Sequence, residues 1–307
     1  MTMFDLISIS TGSDRLIIAK VDSETRALRL LYNKEFQLTN ALLTSEIFKF
    51  LDSAGSFRAI GIAAAGIIEQ NRGIIERTTT NKVRNLKLAD ILEKRYKVPV
   101  SLYNISVASV IGEVLFGTGK GFKNVVYLSL STLIRGGVVT NDHVLLGKEG
   151  NAHEIGHIVV SSEGNLKCSC GSYGHWIAYC SGFGIPQFVR YLLDTKYKGS
   201  ATKLRSMKNV SAKALFGLDK KDKIAHKIIV NDIGRLNAIG VANAINAYDP
   251  EIVIIGGRIA YNNPKLIMDP IIRNIGKYIV NRRPRIALSK WEGEGKFLGA
   301  VSDFLIA

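Results

Sequence analysis

What most restricts the fold of this 307-residue chain is a pattern that begins twice. Two short β-rich runs, FDLISIS (Phe4–Ser10) and LIIAKVD (Leu16–Asp22), flank the polar turn Thr11-Gly12-Ser13-Asp14, and a third, ALRLLY (Ala27–Tyr32), follows. Apolar, β-branched runs bounded by turn residues read as hairpin strands. A helix is expected over Thr39–Ser53, with Leu42, Leu43, Ile47, Phe48 and Leu51 on one face, and then the buried strand AIGIAAAG from Ala59. A helix over Leu86–Lys97, the strand PVSLYN and a helix in SVASVIGEVLFG come next. Strands that alternate with helices in this way predict an α/β protein.

The opening recurs at NVVYLSLS (Asn124–Ser131) and GGVVT, which make a second hairpin. A loop covers Thr140–Asn151, a Cys/His stretch reaches Cys180, and a basic helical segment runs from Ile185 to about Tyr248. The strand EIVIIGG (Glu251–Gly257), a helix to about Asn281, the strand RIALSK and a closing helix from Gly299 complete a second unit. The expected division is an N-terminal α/β lobe, 1–116, and a C-terminal α/β lobe, 117–307, carrying a helical insertion. The last helix is expected to pack back on the first lobe, and a ligand to lie in the cleft between the lobes.

Hydrophobic residues make up 47% of the chain and charged residues 22%, enough apolar surface for a packed core. The longest apolar run, Ala59–Ile68, is far short of the ~20 residues that cross a bilayer, and no basic segment precedes an apolar one at the N-terminus. A soluble, cytoplasmic protein without a membrane partner is expected. The formal charge of +15 suggests an anionic partner, but its densest region argues otherwise. Ten basic residues between Lys196 and Lys227, opposed by Asp219 and Asp222, alternate with Leu, Ile, Val and Ala as solvated helix faces do.

Three cysteines do not make a disulfide framework. Cys168 and Cys170 with His157 and His175 instead offer the four N and S donors that tetrahedral Zn²⁺ prefers, against the plainer reading of core cysteines and loop histidines. His153-Glu154-Ile155-Gly156-His157 also spells HExxH, which on a helix would be a metalloprotease site. Gly156 inside the supposed helix and the β-like run Ile158-Val159-Val160 speak against that helix.

The stretch from Gly147 to Gly182 resembles the signature of the ROK family of sugar kinases and sugar-responsive repressors. Ala152, Glu154, Ile155, Gly156, His157, Cys168, Cys170, Gly171, Gly174, Ser181 and Gly182 match it in type and spacing. The likeness extends through Ala65-Gly66, Gly73, Asn81, Asn104, Asp249-Pro250-Glu251 and Gly256-Gly257. It implies a two-lobed actin-like, RNase-H-like fold, each lobe built on a hairpin that in the kinases holds ATP phosphates. It also implies sugar contacts from Asn104, Glu154, His157, Gly66 and Asn81, and nucleotide contacts from Gly12, Thr132, Gly136, Gly137, Gly256 and Gly257. The metal ligands would be His157, Cys168, Cys170 and His175, with His175 standing where the family has a third cysteine. A structural zinc, ATP with Mg²⁺, and a homodimer or homotetramer are the implied cofactors and assembly.

The chain departs from the family where phosphoryl transfer needs it most. The family's catalytic base is the Asp of an Asn-Asp pair; here the pair is Asn104-Ile105, and isoleucine accepts no proton. Losing a general base costs ~10²–10⁴ in rate. Ser10 replaces the aspartate that positions Mg²⁺, Leu133 and Arg135 replace glycines of the second phosphate hairpin, and Ile177 replaces a sugar-binding glutamate. The expected function is therefore a ROK sugar-kinase homologue impaired in phosphoryl transfer that binds a sugar or nucleotide, with no catalytic residue at the base position. The alternative is an active ATP-dependent sugar kinase, of glucokinase or N-acetylhexosamine kinase type, with a displaced carboxylate from Asp14 or Glu154. Arg135 would also suit a phosphate or sugar phosphate. The hairpin begins at Phe4 with no winged-helix module before it, so no sequence-specific nucleic-acid partner is expected.

Overall fold

The computed structural model describes residues 4–12, 15–78, 82–152 and 154–305. Ser13, Asp14, Asn81 and His153 lie outside the described residues. The chain runs β1 (Leu6–Thr11), β2 (Arg15–Val21), β3 (Leu28–Glu35), α1 (Asn40–Leu51), β4 (Ala59–Ala64), β5 (Ile67–Glu69), β6 (Ile74–Arg77), β7 (Arg84–Leu86), α2 (Leu88–Tyr96), β8 (Val100–Asn104) and α3 (Ile105–Phe116). It continues with β9 (Val125–Leu130), β10 (Ile134–Thr140), β11 (His143–Val144), α4 (Ile177–Cys180), α5 (Gly184–Asp194), α6 (Ala212–Gly217), α7 (Lys223–Lys227) and α8 (Gly234–Tyr248). The final elements are β12 (Ile252–Gly256), α9 (Arg258–Asn262), α10 (Pro264–Asn274), β13 (Arg285–Leu288), α11 (Gly295–Ala300) and α12 (Ser302–Leu305).

Two five-stranded sheets repeat one plan. The first has the order β3-β2-β1-β4-β8 and the second β11-β10-β9-β12-β13, each three antiparallel strands continued by two parallel ones. β1 and β4 are buried along their whole length, which is why they read as continuous apolar runs without alternation. A third, small sheet, β5-β6-β7, carries Ile68, Ile75 and Leu86 into the first core.

α3 and α11 join the two sheets by crossing. α3 follows β8 of the first sheet and packs on β10 of the second, where a side chain at Gly137 would meet Val110. α11 follows β13 of the second sheet and returns to the first, where the Ser8 hydroxyl donates to the Phe297 carbonyl at 2.9 Å. The helices touch backbone to backbone: a Cβ at Gly299 would collide with the Ala108 carbonyl, and one at Gly112 with that of Gly295. Glycine is required here for space.

Several local expectations need correction. Leu42 is exposed, because the buried face of α1 is Leu43, Ile47 and Leu51. Leu86 belongs to β7, a strand too short to show a period. Ile155–His157 is a 3₁₀ turn, and Val159 makes only an isolated bridge to His175, so neither a protease helix nor a strand forms there. The basic segment is not one helix but α5 to α8, interrupted by loops, a 3₁₀ turn at Lys203–Ser206 and a π-helical turn at Ile228–Ile233. The closing helix begins at Gly295, since the two glycines before Lys296 hide a turn that tertiary contact with α3 stabilises.

Candidate functional site

The Cys/His loop is folded by its own backbone. The Cys168 N–H donates to the Ser172 carbonyl at 2.7 Å and the Gly171 N–H to that of Cys168 at 2.9 Å, with Gly171 at φ +96° and Gly174 at φ +77°. These tight turns need glycine. They carry the Cys168 and Cys170 thiols to His157 and His175, and the four ligand atoms lie within 4.8 Å of one another.

The spacing suits a tetrahedral ion. The two Nδ1 atoms are 3.2 Å apart, Cys168 Sγ is 3.6 Å from His157 Nδ1, and Cys170 Sγ is 3.3 Å from His175 Nδ1. Bond lengths of about 2.05 Å to nitrogen and about 2.3 Å to sulfur give tetrahedral edges of about 3.4 Å for N···N and about 3.6 Å for N···S. Burial pushes the Cys168 thiol up and the His175 imidazole down, the latter with help from neighbouring His157. Burial alone thus works against a thiolate at Cys168, and a cation among the donors reverses that preference. The outer nitrogen of His157, Nε2, faces the Glu154 carboxylate at 3.7 Å.

A second group forms where β8 becomes α3. Asn104 is buried; its Oδ1 accepts the Ser106 N–H at 2.9 Å and its Nδ2 donates to the Gly66 carbonyl at 3.2 Å. Gly66, at φ +132°, lies so close to the Arg77 carbonyl and Thr78 that no side chain fits. Ile105, the next residue after Asn104, packs among Ala63, Ala108 and Ala300. Ile177 is fully buried beneath Gly156, where a Cβ would meet its Cδ1 at 2.8 Å. Ile177 is thus enclosed by packing, whereas Ile105 is half-buried against the three alanines.

The remaining expected residues sit at the ends of the two hairpins. The Gly12 N–H donates to the Arg15 carbonyl at 2.8 Å and closes the first. In the second, the Ser131 and Thr132 carbonyls accept N–H groups from Gly182 and Phe183 at 2.8 and 3.0 Å, so these two residues brace it. Packing explains the other glycines: Gly136 faces Ile155, Gly137 faces α3, Gly256 faces Tyr127, and Gly257, at φ +87°, folds onto the Leu130 backbone. Asn151 was not expected to matter, yet its side chain makes two hydrogen bonds, at 2.9 and 2.8 Å, to the Ile68 backbone. Nothing local in the sequence marks that pairing across 83 positions.

Residues 6–302 match the sequence profile of the ROK family. The chain belongs to the ROK family. It is 34% identical over 236 residues to a glucokinase of Aeropyrum pernix, covering 73% of this chain and 72% of that one. A glucokinase of Thermotoga maritima is 36% identical over 225 residues, with 72% and 70% covered. The xylose repressor of Bacillus subtilis is 30% identical over 252 residues, 78% of this chain but 59% of the repressor. Among solved structures, a ROK glucokinase of Streptomyces griseus in complex with glucose and AMPPNP superposes with a TM-score of 0.80 at 25% identity, over 97% of this chain and 98% of that one. The ROK chain therefore has the two-lobed actin-like fold of these kinases. Among the described residues no helix is long and apolar enough to cross a membrane.

Proposed function

We propose that this chain is a cytoplasmic, sugar-binding member of the ROK family in which phosphoryl transfer is impaired. The observation that carries the reading is Ile105. It follows Asn104 at the strand-to-helix junction where the family's kinases place their catalytic aspartate, and its side chain packs among alanines. A general base must lie within about 3 Å of the hydroxyl it deprotonates and must have a lone pair. Ser10 in place of the Mg²⁺-positioning aspartate, and Leu133 and Arg135 in place of glycines, do not fit Mg²⁺-ATP as the kinases hold it.

The sugar half of the site is better kept. Asn104 is fixed by Ser106 and Gly66, and His157 Nε2 and the Glu154 carboxylate stand together on the loop after Asn151. The four donors fit Zn²⁺, held by His157, Cys168, Cys170 and His175. Zinc there would bind the Glu154–His157 turn to the Cys168–His175 loop and fix which His157 nitrogen faces outward.

The names of the relatives support a second reading more strongly than the first: an ATP-dependent sugar kinase with substituted machinery. It needs a displaced carboxylate, and Glu154, half-exposed beside His157, is a candidate. Common ancestry does not decide between the readings, because one side chain determines whether a base is present. The deciding experiment adds Mg²⁺-ATP and a panel of hexoses and N-acetylhexosamines, following ADP release and phosphorylated sugar by mass spectrometry. Sugar binding by calorimetry without sugar-dependent turnover is expected. Turnover near 1 s⁻¹, about the slow end for kinases, would establish the second reading.

A further inference from the structure

Three arginines from distant parts of the chain lie within electrostatic reach of one lysine, Lys296. Arg15 opens β2, across the first hairpin turn from Gly12. Arg135 on β10 and Gly256 on β12 both pair with Ser129 of β9, and Arg258 follows two residues after Gly256, through a turn folded onto Leu130. These two arginines therefore share one end of the second sheet. Lys296 lies on α11, held to the first sheet through the Ser8–Phe297 hydrogen bond. Its ammonium is within electrostatic reach of Arg15, Arg135 and Arg258 together.

Among the described residues their own counter-charges are few. Arg15 pairs with Glu35 at 3.0 Å. Arg135, Arg258 and Lys296 form no ion pair within 4 Å among the described residues. Glu154 acts on Arg135 and Glu294 on Lys296 from a greater distance, and both are exposed. Two buried polar atoms at the first hairpin, Arg15 Nε and Thr11 Oγ1, have no hydrogen-bond partner among the described residues. A guanidinium cannot shed its proton to escape repulsion, so this arrangement awaits an anion with several acceptor oxygens.

We propose that Arg15, Arg135, Arg258 and Lys296 form a binding site for a phosphate monoester dianion, either free phosphate or the phosphoryl group of a phosphorylated sugar. The proposal rests on the reading that this cleft no longer holds Mg²⁺-ATP as the kinases do. It differs from the kinase cradle in using side-chain charge where the family uses glycine backbone. Planar guanidinium groups match phosphate oxygens in bidentate pairs.

The test is calorimetry and thermal shift with inorganic phosphate, glucose 6-phosphate, N-acetylglucosamine 6-phosphate and unphosphorylated glucose, against chloride of matched ionic strength. Binding of the phosphates is expected below about 1 mM, seen as a rise in Tm at about 10 mM ligand. Arg135→Ala and Lys296→Met should each weaken it about tenfold or more, the cost of one charge-assisted hydrogen bond. Arg258→Gln alters an exposed side chain and so tests the site in a variant expected to fold. Equal affinity for phosphate and the sugar phosphates would identify the free ion as sufficient. Tenfold tighter sugar phosphate would mean that both moieties are read. No binding by any phosphate, or undiminished binding in Arg258→Gln and Arg135→Ala/Lys296→Met, overturns the proposal and leaves the sugar-binding reading standing. Phosphate binding abolished by Mg²⁺-ATP in a protein that also turns over sugar would overturn both.

Discussion

The side-chain oxygen of Asn104 accepts the backbone N–H of Ser106 at 2.9 Å, so the last residue of β8 is also the N-cap of α3. The same side chain holds the Gly66 carbonyl at 3.2 Å and ties the β4–β5 turn to the helix start. Asn104→Ala should cost about 2 kcal/mol in urea denaturation, combining a lost cap with a lost buried hydrogen bond. Asn104→Asp keeps the cap and should cost less. Equal losses would show that the Gly66 contact, not the cap, dominates.

The proposed zinc site of His157, Cys168, Cys170 and His175 predicts a graded series. Native mass spectrometry should find zinc in the wild type and none in Cys168→Ser or Cys170→Ser, while His175→Cys retains it because sulfur replaces nitrogen at one vertex. Chelation should lower Tm by about 5 °C or more, since metal bound only to the folded chain is folding free energy. Full stability and unchanged sugar affinity after chelation would remove the structural role.

The α3–α11 crossing predicts a contrast between two glycines. Gly299→Ala drives a methyl into the Ala108 carbonyl, and overpacking costs about 1–3 kcal/mol or more. Gly217→Ala, in α6 with open space around it, should be neutral or stabilise by up to about 1 kcal/mol. Guanidinium denaturation of the two variants measures this directly.

Lys296 predicts a pH dependence. Burial, then Arg15, push its pKa down to about 8, with Arg135 and Arg258 adding to the effect and Glu294 opposing it. In the unfolded chain the ammonium persists to about pH 10.4, so between these values the unfolded state binds more protons and stability rises with pH. Below pH 8 the penalty is present in full. Subtracting the Lys296→Met profile from the wild type should isolate a rise between about pH 8 and 9.5, a window chosen below the tyrosine range. A flat difference would mean that Lys296 is solvated. Phosphate binding should weaken over the same window as one cation is lost.

Much of the fold was legible because its signals are local. Continuous apolar runs such as Ala59–Ala64 announce a strand buried on both faces, and Thr39 announces the cap of α1 by accepting the Leu42 N–H. That Cys168, Cys170 and His175 come together was also legible, since the three lie within eight residues. Short elements were less legible. β7 is three residues long, and α11 is a single stretch of six whose helical state depends on α3 lying against it.

By itself the sequence determined the strand and helix alternation, the ROK signature and the absence of a carboxylate after Asn104, because each is a property of adjacent residues. Only the tertiary structure decided that Arg15, Arg135 and Arg258 come within electrostatic reach of Lys296 and that Asn151 grips Ile68. Electrostatic neighbours separated by up to most of the chain leave no periodic trace in it. Their proximity follows from sheet register and from two helices crossing at glycine, and both are consequences of packing.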